Sequence, residues 1–390
     1  MNSRNSSTRA TRITRWCKAG LLGAALALVG AQTNAQNVTV NPGAGSYPTL
    51  TAAFAAINAG THTGAITVDI VGDTNEGTGT AILNASGSGA ASYTSILIAP
   101  SGGVTRTISG ATTAGAPMID LSGADNVTFN GLNISGNALV IANTTVSATS
   151  GTSTIRFIGG ATNNTITNCS VQGSGTMSVA TNGATIFFST DGVTANGNDN
   201  NTISNNNIGP AGANLPTKAI LGNGSTTTQA IGNSGNIIDN NNIFDYFGAA
   251  VTSSGIATNG GCNTWTITNN RLYQTGTRTW TTGSIHRAID IGNATSTSGA
   301  QGFTITGNIV GYASNTQTGT YTLTGAGTGA KFQGIVFNGI STGTTTTVST
   351  NTVASVSMTG VTGSGTTTAS PFTAMLLQEG VVNSNSNVIG

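Results

Sequence analysis

The sequence predicts an all-β solenoid, in which short strands wind coil upon coil and pair in parallel with their neighbours. Three observations carry that expectation. A local motif recurs: an apolar anchor, Asn or Gly two positions later (Thr after the last anchor), and usually a second apolar residue five positions later. Its anchors are Phe129, Ile166, Ile203, Ile238, Ile267, Ile305 and Val348, at intervals of 37, 37, 35, 29, 38 and 43 residues. A constant motif at irregular intervals marks insertions on a common frame, which is how solenoid repeats vary. The second observation is a short apolar strand ahead of each anchor, as in "TIRFIG" (154–159), "TIFFS" (185–189), "AIL" (219–221), "AAV" (249–251), "AIDIG" (288–292), "GIVFNG" (334–339) and "AMLLQ" (374–378). The third is composition: 37% apolar, 6% charged and 5% aromatic, with 56 Gly in 390 residues. Apolar residues spaced this regularly argue against disorder. The scarcity of Lys and Glu argues against helices, while Thr, Val, Ile and Asn favour strands and turns.

Taken in order, residues 1–35 read as a signal peptide. Arg4, Arg9, Arg12, Arg15 and Lys18 precede the run "AGLLGAALALVGA", which is too short to span a membrane, and "TNA" offers small residues for cleavage. Cys17 precedes that run, which speaks against a lipid-anchored Cys. Loss of this segment leaves seven cations against eleven acids, a net charge of −4. Such a chain carries no electrostatic footprint for nucleic acid and no transmembrane segment. Residues 36–110 form an amino-terminal cap and the first coils. Within them, "SYPTLTAAFAAINAG" predicts a short helix that starts at Thr49, buries Leu50, Phe54 and Ile57, and ends near Gly60. The strands "AITVDIVG" and "SILIAP" follow. Residues 111–390 are the repeats.

A single coil contains strands of two to five residues, too short to be stable alone. Stacking solves this, because inward side chains of successive coils bury one another. The turn after each anchor needs a residue that tolerates positive φ, so Gly131, Asn168, Asn205, Asn240 and Asn269 are read as structural turns. The Asn amides among them are expected to hydrogen-bond from coil to coil as a ladder. Cys169 and Cys262 fall at different phases of the repeat, and buried free thiols are expected rather than a disulfide. Neither lies near His62 or His286 with a metal-ligand spacing, and no metal site is expected.

The segments "ADNVTFNGLNISG", "NNTITNCSV", "NNTISNNNIG" and "NTWTITNNRL" resemble the right-handed parallel β-helix repeats of the pectin lyase-like superfamily, over roughly residues 38–390. A leading helix followed by "ITVDIVGDTNE" is similar to the start of pectin methylesterases. The low-charge, Thr/Asn-rich style resembles large secreted surface proteins of Bacteroidetes-type bacteria. The resemblance implies a right-handed parallel β-helix with a short amino-terminal capping helix, exported to the cell surface or beyond. The end "VVNSNSNVIG" stops within a coil, so the chain reads as truncated there or as ending in an unfamiliar cap.

The resemblance also defines what chemistry to seek. β-Helix lyases, hydrolases and esterases stack carboxylates on adjacent coils, to bind Ca²⁺ or to act as acid and base, and add an Arg or Lys for the sugar carboxylate. The outward position after each anchor reads Asn130, Thr167, Ser204, Asp239, Thr268, Thr306 and Ser349. The outward position of the preceding strand reads Arg156, Phe187, Ala250, Asp290, Val336 and Leu376. Neither row holds a carboxylate pair, and Arg156 and Asp290 lie about four coils apart. A secreted, non-catalytic protein with a structural, adhesive or glycan-binding role is therefore expected, with no cofactor. The alternative is a polysaccharide lyase or esterase acting on an acidic polymer such as pectin, with Asp239, Arg271 and Asp290 as participants and Ca²⁺ as its one conceivable cofactor. One region stands out. Six of the twelve charged residues after position 150 lie within 239–290, together with Trp265 and Trp280. There "YQTGTRTWTTGSIHRAID" reads as a loop offering Tyr273, Arg278, Trp280 and His286 to a polysaccharide or cell-surface glycan. The plainer reading packs Trp265 in the core and Trp280 against the barrel.

Overall fold

The computed structural model describes residues 36–390 except 134–137, 179, 191–195, 293–298 and 363–369. The signal peptide expected at 1–35 lies outside the described residues. Among the described residues of the unit Ala35–Gly390 run three parallel sheets, with eleven strands (sheet A), ten (sheet B) and nine (sheet C). One coil shows the path. Ser153–Ile158 lies in sheet C, Thr165–Thr167 in sheet A and Cys169–Gly173 in sheet B, before Ile186–Phe188 opens the next coil in sheet C. Each strand pairs with the equivalent strands of the coils before and after it, which makes the chain a right-handed parallel β-helix, the hand such crossovers favour. Sheet A runs through both 36–110 and 111–390, carrying Gln36–Val40 and Val127–Asn130 alike.

The anchors behave as their spacing requires. Phe129, Ile166, Ile203, Ile238, Ile267, Ile305 and Val348 are register partners in succession, and each is 0% exposed. In sheet B, Val171, Ile208, Ile243, Leu272 and Val310 form a second buried column. Each such side chain contributes about 1.5–3 kcal/mol on burial, and only because a coil lies above and below it. Trp265 is part of this core, edge-on to Phe188 at 5.0 Å.

The turns correct one expectation. Asn168, Asn205, Asn240 and Asn269 do adopt left-handed φ, between +52° and +58°. Gly131 does not; there Leu132 and Asn133 take the positive φ values. Gly131 is required for close approach instead, since a Cβ on it would sit 1.9 Å from the Asn168 carbonyl oxygen. The buried ladder also runs one residue later than expected, through Asn206, Asn241, Asn270, Asn308, Asn351 and Asn387. In each of the first five, backbone N–H and Nδ2 both donate to Oδ1 of the next Asn at 2.9–3.1 Å. A left-handed residue turns its side chain outward, so Asn205 is exposed and Asn206 buried. The outer amides pair only in part, as where Asn240 donates to Asn205 at 2.7 Å. A second ladder joins Asn164, Asn201 and Asn236, and a third joins Asn198 and Asn233.

Both cysteines stand at ladder positions. The Cys169 Sγ donates to the Phe129 carbonyl, as Asn206 Nδ2 does to Ile166, and Cys262 is the register partner of Asn233. Both are buried free thiols, pushed up to about 12 by desolvation.

In sheet C, the strand expected at "AAV" (249–251) is instead Ser253–Thr258. The outward residue in that row is therefore Ala257, not Ala250, with Leu221 and Asp290 as its partners. Small residues hide the strand: Gly255 faces inward, where a Cβ would come within 2.9 Å of Leu272 and Tyr246.

Helix Leu50–Asn58 closes the first coils with Leu50, Phe54 and Ile57 buried. Thr49 caps it through its hydroxyl, which accepts the Ala52 N–H at 3.1 Å. Glu76 adds a cap from afar, accepting Leu50 N–H at 3.0 Å and Thr51 N–H at 2.8 Å. Glu76→Ala strands these buried donors, so its urea midpoint is expected to fall by the equivalent of about 2 kcal/mol at unchanged m value. An unchanged midpoint would mean that water satisfies them equally well. Among the described residues, no helix is long and apolar enough to cross a membrane.

Candidate functional site

The aromatic and charged region is folded inward. Arg278–Trp280 is a strand rather than a loop, paired with Tyr321–Thr328, which in turn pairs with Val356–Thr362. Trp280 is 2% exposed and packs on Phe247 at 5.8 Å, so it offers no open ring face to a sugar. Tyr273 is 8% exposed and stacks on Phe244 at 5.5 Å. Arg278 is held by Asp245 and by Gln274 Oε1, and Asp245 also accepts from the Thr275 N–H and hydroxyl. The exposed platform expected from the sequence is thus an internal buttress, because the insertion finds strand partners in later coils.

His286 is 0% exposed. Its Nδ1 lies 2.7 Å from the Ser253 hydroxyl and its Nε2 2.5 Å from the Tyr321 hydroxyl. A serine, a histidine and a tyrosine in hydrogen-bonded series suggest nucleophilic chemistry, but all three are fully buried. The series is a polar strut in the core. Desolvation first, and then the charge of Arg278, push the imidazole down to about 3 from its ordinary 6.5. The sign follows. Below pH 6.5 the unfolded chain binds a proton that the folded chain refuses down to about pH 3. This group's contribution to stability is full above pH 6.5 and is lost as pH falls through that window, by up to about 1.4 kcal/mol per unit. Unfolding midpoints measured from pH 7 to pH 5 are expected to slope more steeply in the parent protein than in His286→Gln. Parallel slopes would contradict a neutral buried imidazole.

The three candidate catalytic residues lie on three different sheets. Asp239 faces out from sheet A, accepting from the Thr268 hydroxyl at 2.6 Å and Asn269 Nδ2 at 2.9 Å. Arg271 lies in sheet B and Asp290 in sheet C. Sheet topology does not bring them together into an acid–base pair. Farther along sheet C, Arg156 is taken by Asp120 of the neighbouring coil at 2.6 Å. Among the described residues, no group of three or more His, Cys, Asp or Glu is placed to hold a metal ion.

Asp290 does lie in a cleft. It opens over the outer face of sheet C, holds about 360 Å³, and is lined by Asn259, Arg287, Asp290, Val336, Asn338 and Gln378, among others. Arg287 and Asp290 are three apart on one strand and would ordinarily face opposite ways. The alternation breaks between them, where Ala288 and Ile289 are both 0% exposed. In the strand of the coil before, Gly255 and Ile256 are likewise both buried. Arg287 Nη1 therefore reaches Asp290 Oδ2 at 2.8 Å, while its Nε donates to Gln333 Oε1 at 2.7 Å. Burial pushes the Asp290 carboxyl up, and Arg287 pulls it part of the way back. The side-chain amides of Asn259, Asn338 and Gln378, and Oδ1 of Asp290, have no hydrogen-bond partner among the described residues. The wall thus presents unspent donors and acceptors beside one neutralised ion pair.

Sequence reasoning finds Asp290 but not Arg287, Asn259, Gln333, Asn338 or Gln378. One signal is present: Arg287 and Asp290 straddle "AI" in the region where the charged residues concentrate.

No family model and no curated protein matches the chain. Among solved structures, it is similar to PfbA, a surface adhesin of Streptococcus pneumoniae, at 12% identity over 86% of this chain and 84% of that one, with a TM-score of 0.44. A second PfbA structure gives 11% identity over 87% and 94%, with a TM-score of 0.40. The A-module of the mannuronan C-5 epimerase AlgE6 of Azotobacter vinelandii gives 13% identity over 87% and 93%, with a TM-score of 0.32. The functional reading comes from the cleft itself.

Proposed function

We propose that the protein is a secreted, non-catalytic β-helix that holds carbohydrate in the sheet C cleft and serves an adhesive or structural role at the cell surface. The observation that supports this is the state of Asp290. It is the one carboxylate among the residues lining the cleft, and Arg287 neutralises it. Acid–base cleavage of a glycosidic bond needs a second carboxylate across the bond, and β-elimination needs a base free to take a proton. Binding needs neither. A concave, rigid surface with unspent amides and a carboxylate oxygen suits a ligand rich in hydroxyl groups. The leader read in residues 1–35 accounts for export. No cofactor is required; Ca²⁺ would enter only with the lyase alternative, which calls for stacked carboxylates.

The test joins retention to turnover. The protein is run in native gels containing a panel of polysaccharides, and the same polymers are incubated with it and sized. Retardation with unchanged polymer length is expected, and Gln378→Ala at the exposed rim is expected to weaken retardation about tenfold, the worth of a single hydrogen bond. Shortened polymer, or the ultraviolet absorbance of an unsaturated sugar, would overturn the reading in favour of an enzyme.

A further inference from the structure

We infer that the cleft is built for an uncharged polysaccharide chain laid along the solenoid axis, and that it rejects uronates and other acidic glycans. The inference rests on the cleft being the ligand site and deepens that reading. Its first support is the ion pair. An Arg grips a carboxylate best through two parallel N–H bonds. In Arg287, Nε is spent on Gln333 and Nη1 on Asp290, so the edge containing Nε is closed to a ligand. Among the described residues Asp290 Oδ1 has no hydrogen-bond partner, and it lies next to any group that approached the guanidinium. Asp290 already compensates Arg287, so a ligand carboxylate or sulfate there would find no free positive charge to offset its loss of water, which acts as a selective barrier.

The second support is the rest of the wall. Asn259, Asn338 and Gln378 each offer an uncharged donor and acceptor, matching hydroxyls that also do both. Val336, 4% exposed and the register partner of Asp290, forms part of the uncharged floor beneath them. The third is extent. The lining residues come from four successive coils, those of Asn259, Asp290, Asn338 and Gln378. At about 4.8 Å per coil, three intervals span about 14 Å. That length fits an oligosaccharide segment better than a single ring.

The experiment is affinity electrophoresis and calorimetry of the full chain against two sets of polymers. Neutral glucan, mannan, xylan and galactan form one set; polygalacturonate and polymannuronate form the other. The expected result is binding to at least one neutral polymer, unchanged between low and high salt, and no binding to either acidic polymer. Asp290→Asn removes the charge that compensates Arg287 and leaves the guanidinium free for an anion, so salt-sensitive binding to an acidic polymer is expected to appear. Gln378→Ala, on the exposed rim, is expected to lower affinity for the neutral polymer about tenfold with the thermal midpoint unchanged; this variant carries the test if Asp290→Asn does not fold. Binding of an acidic polymer by the parent protein, lost in Gln378→Ala, would overturn the inference while leaving the cleft as the site. Binding of neither set would overturn the carbohydrate reading itself.

Discussion

Replacing Asn241 by Ala is expected to lower the unfolding free energy by about 3–5 kcal/mol, among the largest single-residue effects in this chain. The residue is 1% exposed and sits in mid-ladder. Its Oδ1 accepts from the Asn206 N–H at 3.0 Å and from Asn206 Nδ2 at 3.1 Å. Its Nδ2 donates to the Ile203 carbonyl at 2.8 Å and to Asn270 Oδ1 at 3.0 Å. Alanine leaves a buried N–H and a buried amide hydrogen without an acceptor, and it takes a donor from a buried carbonyl. Each orphaned group costs about 1–3 kcal/mol. Asn241→Asp is expected to be at least as damaging, because a carboxylate would face Asn270 Oδ1 and the Ile203 carbonyl without the amide's donors. The neighbouring Asn240 separates ladder from turn. It is exposed and left-handed at φ +52°, so Asn240→Ala is expected to cost about 1 kcal/mol and Asn240→Gly close to nothing. Urea unfolding of the four variants checks the order. Equal losses at positions 240 and 241 would refute the assignment of the ladder to the inner residue.

Gly131→Ala is expected to be comparably severe, about 3 kcal/mol or more, for a different reason. The added methyl would stand 1.9 Å from the Asn168 carbonyl oxygen and 2.7 Å from its carbon, both backbone atoms of the adjacent coil. No rotamer relieves such a clash; two coils must part, and the hydrogen bond from Gly131 N–H to the Thr167 carbonyl at 2.9 Å stretches with them. Gly45 is the control. It has φ +82°, and a methyl added there would meet nothing within 4 Å, so Gly45→Ala carries backbone strain alone, about 1–2 kcal/mol. Thermal unfolding of the two variants distinguishes crowding from conformation. If both fall equally, Gly131 matters for flexibility and not for the contact between coils.

What is legible in the sequence follows from periodicity. Seven anchors can be aligned because a coil has little freedom: an inward residue, a left-handed turn and a second inward residue must follow at fixed spacing. The ladder reads one residue early, since Asn205 and Asn206 carry the same amide and only the handedness of the turn decides which points inward. The insertion around Trp280 reads as a loop because its partner strand, Tyr321–Thr328, lies more than forty residues later and no local pattern announces that pairing. The cleft is the least legible part. Its amides come from separate coils, and in the sequence Asn259, Asn338 and Gln378 are indistinguishable from ordinary surface amides. In sheet A the absence of a carboxylate pair among the outward residues is legible, because register there follows from the anchors, whereas in sheet C the small residues of Ser253–Thr258 hide one position of the row.

A glycan array probed with the parent protein and with the double variant Asn338→Ala, Gln378→Ala tests the central claim most directly. The parent protein is expected to retain at least one glycan, and the double variant, equally folded by circular dichroism, is expected to lose it. A glycan held equally well by both proteins would place recognition away from sheet C and contradict the cleft as the binding site, as would an array on which the parent protein retains nothing.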